Sequence, residues 1–246
     1  MNLFSFLFKP SLDNSIYVDI HSHLLPGIDD GVKNLTDSID IIKRLKDLGY
    51  KKLITTPHIK TDFYPNTKEI IAEKLESVKH TLKEQNIDII LEASAEYYLT
   101  AEFLTLLEDN ELLPFMDHYI LFETPCNIRP LFLEETIERI YQKGYIPVLA
   151  HPERYKYLHG DIRLYRELKA QGLLFQVNLK SLESKSKYIR ETALKLLQSG
   201  LVDFTGSDAH NLRDISKIQK VLKNRKYQNI IKKNKLLNND LFISKK

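Results

Sequence analysis

The chain has 246 residues, with 36 Lys and Arg against 33 Asp and Glu, a formal net charge of +3, 43% hydrophobic and 28% charged residues. That balance excludes a disordered or fibrous chain, the lack of any run of about 18 apolar residues excludes a transmembrane helix, and the small positive excess gives no argument for nucleic acid. One cysteine, Cys126, excludes an intrachain disulfide framework and suits a reducing cytoplasm.

In chain order, Met1 to Phe8 (MNLFSFLF) is apolar but lacks a basic region and a small-residue cleavage site. Residues 1–15 therefore read as an N-terminal extension, packed on the domain or frayed, with a weak membrane-surface contact as the alternative, and residues 16–246 as a single domain without a linker. Seven strands are predicted, at 16–20, 52–57, 87–95, 118–124, 145–150, 173–178 and 201–205. Between them, Ile41, Leu45 and Leu48 form one helical stripe, and further helices are predicted near 67–86, 101–109, 134–143, 161–171, 187–199 and 214–231. At Gly49, Gly144, Gly172 and Gly200 a helix ends and an apolar strand follows at once, the mark of a repeated βα unit. Alternation of this kind implies parallel strands with right-handed crossovers. Seven units fit an α/β fold of the distorted seven-stranded (β/α)7 barrel kind, similar to a TIM barrel. The stretch 217–235 carries eight basic residues and no acid, which reads as a solvated helix face or as a contact for an acidic partner, anionic lipid or nucleic acid.

The polar residues are placed unevenly. Strand by strand, the C-terminal ends deliver His21 and His23, then His58, Glu96, Glu123 and His151, and finally Asp208 and His210. In a βα barrel these ends meet at one mouth. Asp30, in the Gly27–Gly31 loop, is close enough in sequence to fold over it. Five of the eight histidines and four carboxylates thus point to one place. Crowded carboxylates repel unless cations are present. Nine oxygen and nitrogen donors exceed the need of one ion, so two or three divalent cations are expected, and a set without sulfur suits Mn²⁺, Fe²⁺ or Zn²⁺. With three such ions the mouth carries a formal charge of about +2, complementary to a phosphate monoester. Hydroxide activated by the metals would then attack phosphorus. Arg154, in His151-Pro-Glu-Arg-Tyr, can hold phosphate oxygens in a fork, a rim ion pair being the equal alternative. A thiol-based phosphatase needs Arg six residues after its cysteine, and Phe132 stands there. His80 reads as solvent-exposed, His118 as remote from the mouth, His159 as a rim candidate, and Tyr97, Tyr98 and Tyr155 as packing residues beside it.

At these positions the sequence resembles the PHP (polymerase and histidinol phosphatase) superfamily, through D-I-H-S-H-L-L-P-G-I-D-D-G at 19–31, T-P-H at 56–58 and G-S-D-A-H-N at 206–211. It is more closely similar to the bacterial capsule and exopolysaccharide tyrosine phosphatases of the CpsB/YwqE type, through A-E-Y-Y at 95–98, L-F-E-T-P at 121–125 and A-H-P-E-R-Y at 150–155. The resemblance implies a trinuclear, usually manganese-dependent centre. His21, His23, Glu96 and Asp208 would hold one ion, Glu96, Glu123 and His151 a second, and Asp30, His58 and His210 the third. Arg154 would bind phosphate, and Arg213, shifted by about two positions, is the candidate for the family's second phosphate-binding arginine. The implied activity is that of a phosphoric monoester hydrolase acting on phosphotyrosine. Its implied substrate is the tail of a membrane-associated bacterial tyrosine kinase that controls polysaccharide synthesis, met at the inner face of the membrane. The competing readings are a small-molecule phosphomonoesterase such as histidinol-phosphate phosphatase, and a non-catalytic docking protein of a polysaccharide assembly complex.

Overall fold

The computed structural model describes residues 14–242, so Met1 to Phe8 and nearly all of the expected 1–15 extension lie outside the described residues. The strands are β1 (Val18–Asp19), β2 (Lys52–Thr55), β3 (His58–Ile59), β4 (Ile90–Ala93), β5 (Glu96–Tyr98), β6 (Tyr119–Glu123), β7 (Ile146–Ala150), β8 (Leu174–Asn178) and β9 (Phe204–Gly206). The helices are α1 (Leu35–Asp47), α2 (Lys68–Glu84), α3 (Ala101–Glu108), α4 (Leu133–Gln142), α5 (Ile162–Ala170), α6 (Lys187–Gln198), α7 (Leu212–Lys223) and α8 (Arg225–Lys233). Asn34, Thr67, Thr100, Asp161 and Asn211 begin their helices by accepting from a backbone N–H of the first turn. Among the described residues no helix is long and apolar enough to cross a membrane.

All strand pairs are parallel, as the alternation requires, but the seven predicted strands appear as nine in two sheets, ordered β1-β2-β4 and β3-β5-β6-β7-β8-β9. Two of them are broken. Pro57 has no N–H to donate and separates β2 from β3. Its parallel neighbour breaks at the matching place, between β4 and β5, where Ser94 N–H still donates to Thr55 O (2.9 Å) and Glu96 N–H to Pro57 O (3.1 Å). The expected helix 214–231 is also two helices. Asn224 leaves the helical region (φ −84°, ψ 106°) and its side chain accepts from the N–H groups of Lys226 and Tyr227, starting α8. The basic stretch turns Lys220, Lys223, Arg225, Lys226, Lys233 and Lys235 to solvent while Ile218, Val221, Leu222 and Ile231 are buried.

The main core lies between helices and strands and includes Ile41, Leu45, Phe122, Leu149, Phe175, Leu196 and Ile218. A second, smaller cluster lies on the other side of the strands: Val18, Ile20, Ile54, Phe115, Leu121, Val148, Ala150, Phe204 and Leu241. Because strand side chains alternate, the residue two further along shares its face. Leu121 therefore precedes Glu123, Leu174 precedes Gln176 and Asn178, and Phe204 precedes Gly206 and then Asp208. The apolar cluster is the floor beneath the polar strand ends.

β1 and β9 lie in different sheets with no ladder between them, and the segments that follow them meet through one isolated parallel bridge, Ser22 to Ala209. Asn238, fully buried in the 3-10 turn Asn238–Phe242, ties the same two strands from below. Its Nδ2 donates to Val18 O (2.9 Å) and Thr205 O (2.8 Å), and its Oδ1 accepts from Thr205 N–H (2.9 Å). Asn238→Ala leaves three buried backbone groups without partners and is expected to cost about 3 kcal/mol in urea unfolding. A loss below about 1 kcal/mol would show that this tie does not hold the strands together.

Candidate metal centre

Glu96, 1% exposed, is the hub. Its Oε2 lies 3.1 Å from His21 Nε2, 3.4 Å from His23 Nε2 and 3.2 Å from His58 Nδ1, and its Oε1 lies 2.8 Å from His151 Nε2. Glu123 stands 3.6 Å from His151 Nε2 and 3.8 Å from His58 Nδ1. Asp208 Oδ1 faces His210 Nδ1 (3.1 Å), His23 Nε2 (3.7 Å) and His21 Nε2 (3.9 Å). Asp30 Oδ1 reaches over the group to His210 Nε2 (3.3 Å) and His58 Nε2 (3.4 Å). All nine residues expected at the mouth are thus brought together. They fall into four overlapping groups of donors: His23 with Asp30, His58 and His210; His21 with His23 and Asp208; His21 with Glu96 and His151; and His58 with Glu96 and Glu123.

Backbone strain and a glycine help to place them. His151 (φ 33°) and Asp208 (φ 46°) are non-glycine residues in the left-handed region, each at a strand end. Such strain costs of order 1–3 kcal/mol and is retained where the surroundings enforce it. Gly206 lets β9 approach His21: a Cβ there would lie 2.7 Å from His21 Cβ and 2.6 Å from Gln176 Nε2.

The donor chemistry fits divalent ions. His21 Nδ1–H donates to Gln176 Oε1 (2.7 Å), and His23 Nδ1–H donates to Asp29 Oδ2 (2.7 Å). With neutral imidazoles both Nε2 atoms, 3.3 Å apart, would turn lone pairs toward each other and toward Glu96 Oε2. Lone pairs meeting in a buried space require a cation between them. Titration in the protein alone points the same way. Burial opposes charge on His21, His58 and His210, yet the carboxylates beside them lift their pKa values to about 8, 9 and 10. Protons there fill the role of cations. Burial, and then Glu96 beside it, pushes Glu123 up to about 7, while burial and Arg154 bring His151 down to about 4.

Asp30, His58, Glu96, Glu123, Asp208 and His210 border a cleft of about 620 Å³ whose lining also includes Lys60, Phe63, Tyr64, Arg154, Lys180 and Lys217, while His21, His23 and His151 are buried and do not line it. Arg154 is there as expected, with Nη1 3.7 Å from Asp208 Oδ2. Arg213 does not line the cleft: it is exposed on α7 and borders an adjoining depression, with Val32, Lys33 and Asp37, that shares His210 and Asn211 with the cleft. Among the other candidates, Tyr97 and Tyr155 are buried packing residues whose hydroxyls bond the backbone of Leu113 and of Ala150 and Thr124. Tyr98 is half-buried, with the Lys60 ammonium 3.8 Å from its ring centroid. His159 bonds Glu153 O and stacks on Tyr188, His80 is exposed, His118 lies beside Tyr119 outside the cleft, and Cys126 is half-buried and free.

Residues 17–241 match the family described as capsular polysaccharide synthesis, CpsB/CapC. The chain belongs to the CpsB/CapC family. Its relatives include the tyrosine-protein phosphatase YwqE of Bacillus subtilis, 31% identical over 198 residues that cover 80% of this chain and 78% of the relative. The tyrosine-protein phosphatase CpsB of Streptococcus pneumoniae is 30% identical over 202 residues, covering 79% of this chain and 83% of the relative. A crystal structure from work on these two proteins, described as unique metal-dependent tyrosine phosphatases, superposes with a TM-score of 0.77 at 27% identity, covering 89% of this chain and 96% of the other.

Several residues of this CpsB/CapC centre escaped the sequence reading. Asp29, neighbour of Asp30, is buried. Besides His23, it accepts from Gly31 N–H (2.9 Å) and His58 N–H (3.2 Å). Gln176 and Asn178 occupy the one strand whose end lacks a metal-competent side chain. Two amides two apart in the otherwise apolar Leu174–Asn178 were the available signal. Lys180 lies just beyond them. Asp29→Ala removes the acceptor that orients His23 and is expected to weaken metal affinity about 10–100-fold in a chelator competition. A shift under about twofold would mean that His23 is oriented without it.

Proposed function

We propose that this chain is a metal-dependent protein-tyrosine phosphatase, a phosphoric monoester hydrolase that holds three divalent ions, manganese foremost, at the mouth of its parallel strands. The observation that carries the reading is the convergence of five imidazoles and four carboxylates around Glu96, with Arg154 beside them. Membership of a family whose relatives are named tyrosine-protein phosphatases supports it.

The residues divide the work. His21, His23, Glu96 and Asp208 would hold one ion, Glu96, Glu123 and His151 a second, and Asp30, His58 and His210 a third. Bound divalent ions supply a nucleophile at neutral pH and positive charge for the phosphoryl oxygens. Arg154 would take phosphate oxygens through its planar fork. Gln176 and Asp29 keep the imidazoles turned inward, and the apolar floor of Ile54, Leu121, Val148 and Phe204 keeps water from entering beneath. We read the two sheets as one distorted seven-stranded barrel, on the strength of the hydrogen bonds that cross both strand breaks and the bridge between Ser22 and Ala209.

For the substrate, we favour a phosphotyrosine segment of a protein, namely the tail of a bacterial tyrosine kinase that regulates capsule or exopolysaccharide synthesis. Phe63 on the cleft is 66% exposed, and Ile128 and Leu131, on the loop that follows Glu123, are 73% and 99% exposed. An exposed aromatic side chain beside an anion-binding mouth suits an aromatic ester on a polypeptide, and the exposed apolar loop after Glu123 offers further surface to the chain.

With Mn²⁺ present, the protein should hydrolyse a phosphotyrosyl peptide faster than histidinol phosphate. EDTA should abolish the activity and Mn²⁺ restore it. His21→Ala and Asp208→Ala should each lower the rate by more than about 100-fold, beyond what loss of an orienting residue produces. Faster turnover of histidinol phosphate, or full activity after metal removal, would overturn the reading.

A further inference from the structure

The two oxygens of Asp208 look in different directions. Oδ1 faces His21, His23 and His210. Oδ2 accepts from Asn178 Nδ2 (2.6 Å) and lies between two cations, Lys180 Nζ at 3.3 Å and Arg154 Nη1 at 3.7 Å. Lys180 also donates to the Asp208 carbonyl and stands 3.3 Å from Asp214 Oδ2. Its side chain, 17% exposed, opens on the cleft.

The phase of α7 explains why Arg213 is not there. Asp214 and Lys217, three apart, both border the cleft. Arg213 precedes Asp214 by one residue, and so points about 100° away around the helix. Of the other cations on the cleft, Lys217 pairs with Asp214 Oδ1 (3.5 Å) and Lys60 lies over the Tyr98 ring, whereas Lys180 stands beside the same Asp208 oxygen as Arg154.

We infer that Lys180, not Arg213, is the second phosphate-contacting cation, gripping together with Arg154 the non-bridging oxygens of a phosphate monoester laid over the donor cluster. This rests on the phosphatase reading above. The guanidinium offers a planar fork and the ammonium a compact charge, and the two flank a single oxygen, so one phosphate can touch both. With Asp208 Oδ1 committed to an ion, its carboxylate neutralises the ammonium less, and a dianionic phosphate is the acceptor that fits the remaining space.

Inorganic phosphate is the probe, titrated calorimetrically into Mn²⁺-loaded protein. Lys180→Met should weaken its binding about tenfold or more and raise KM for a phosphotyrosyl peptide by a similar factor. Lys180→Arg should recover most of the loss, and Arg213→Ala should stay within about twofold of wild type. Manganese per chain, measured by mass spectrometry, should be unchanged in all three variants. Loss of manganese in Lys180→Met without rescue by Lys180→Arg would show that Lys180 acts only by holding Asp208, and would overturn the inference. So would wild-type phosphate affinity in that variant. In the unaltered protein, phosphate should slow acetylation of Lys180 relative to exposed Lys220, and equal rates would also overturn it. Phosphate binding that depends on Lys180, in a protein that leaves phosphotyrosyl peptides intact, would sink the tyrosine phosphatase reading while supporting the contact itself.

Discussion

Everything at the mouth is arranged around one buried carboxylate. Glu96 has four imidazole nitrogens within 3.4 Å, and three further carboxylates complete the group. Burial opposes charge on Glu96, yet His21 and His58 beside it hold its pKa well below the usual carboxylate range. A group with this many acceptors is stable only when positive charge is shared among them, as protons or as metal ions. The strained strand ends at His151 and Asp208 and the close approach at Gly206 are consequences of packing so many polar side chains around that centre.

The orientation of the donors is settled by groups that hold no ion. Asp208, ionised, can only accept, so Asn178 must present its Nδ2 to it. Asn178 Oδ1 then faces Gln176 and accepts from its Nε2 (2.9 Å). Gln176 is left with Oε1 toward His21, whose Nδ1 must carry the proton. A chain of amides on one face of β8 thus sets the tautomer of an imidazole on the chain segment that follows β1. Asp29 does the same for His23 without an intermediary. These contacts are buried and complete, which makes the inner nitrogen lone pairs available with no rearrangement of the imidazoles.

The strand order and the donor positions were legible because both follow from short-range regularities. Glycine after each helix marks the βα units, and period two along the strands puts Glu123 above Leu121 and Asp208 above Phe204. The strand breaks were less legible. Pro57 announces one, but the break at 94–95 lies at the matching place in its parallel neighbour. Helical phase separates Arg213 from the cleft lining: motif spacing placed it near the last histidine, while the helix that starts at the Asn211 cap puts Asp214 on the cleft. Lys180 carried no motif at all. Its role depends on a long-range meeting of β8 with the segment after β9, which no local pattern encodes.

The seam between the first and last strands and the metal centre are built from the same residues. Asp19 accepts from the Ser207 N–H (2.8 Å) and hydroxyl (2.6 Å), across 188 residues of sequence. Asp208 N–H donates to His21 O (2.7 Å), and His23 N–H donates to Ala209 O (3.0 Å). The backbone of each donor therefore closes the seam while its side chain faces the ions' place. Where the segments that follow β1 and β9 share only one bridge, a cation held by His21, His23 and Asp208 would act across the gap. An ion bound there would stabilise only the form in which both strands are in place, so folding and metal binding would reinforce one another at this seam. The short β1 and β9, poor in ladder bonds, are thus held by Asn238 from below and by the donor cluster from above.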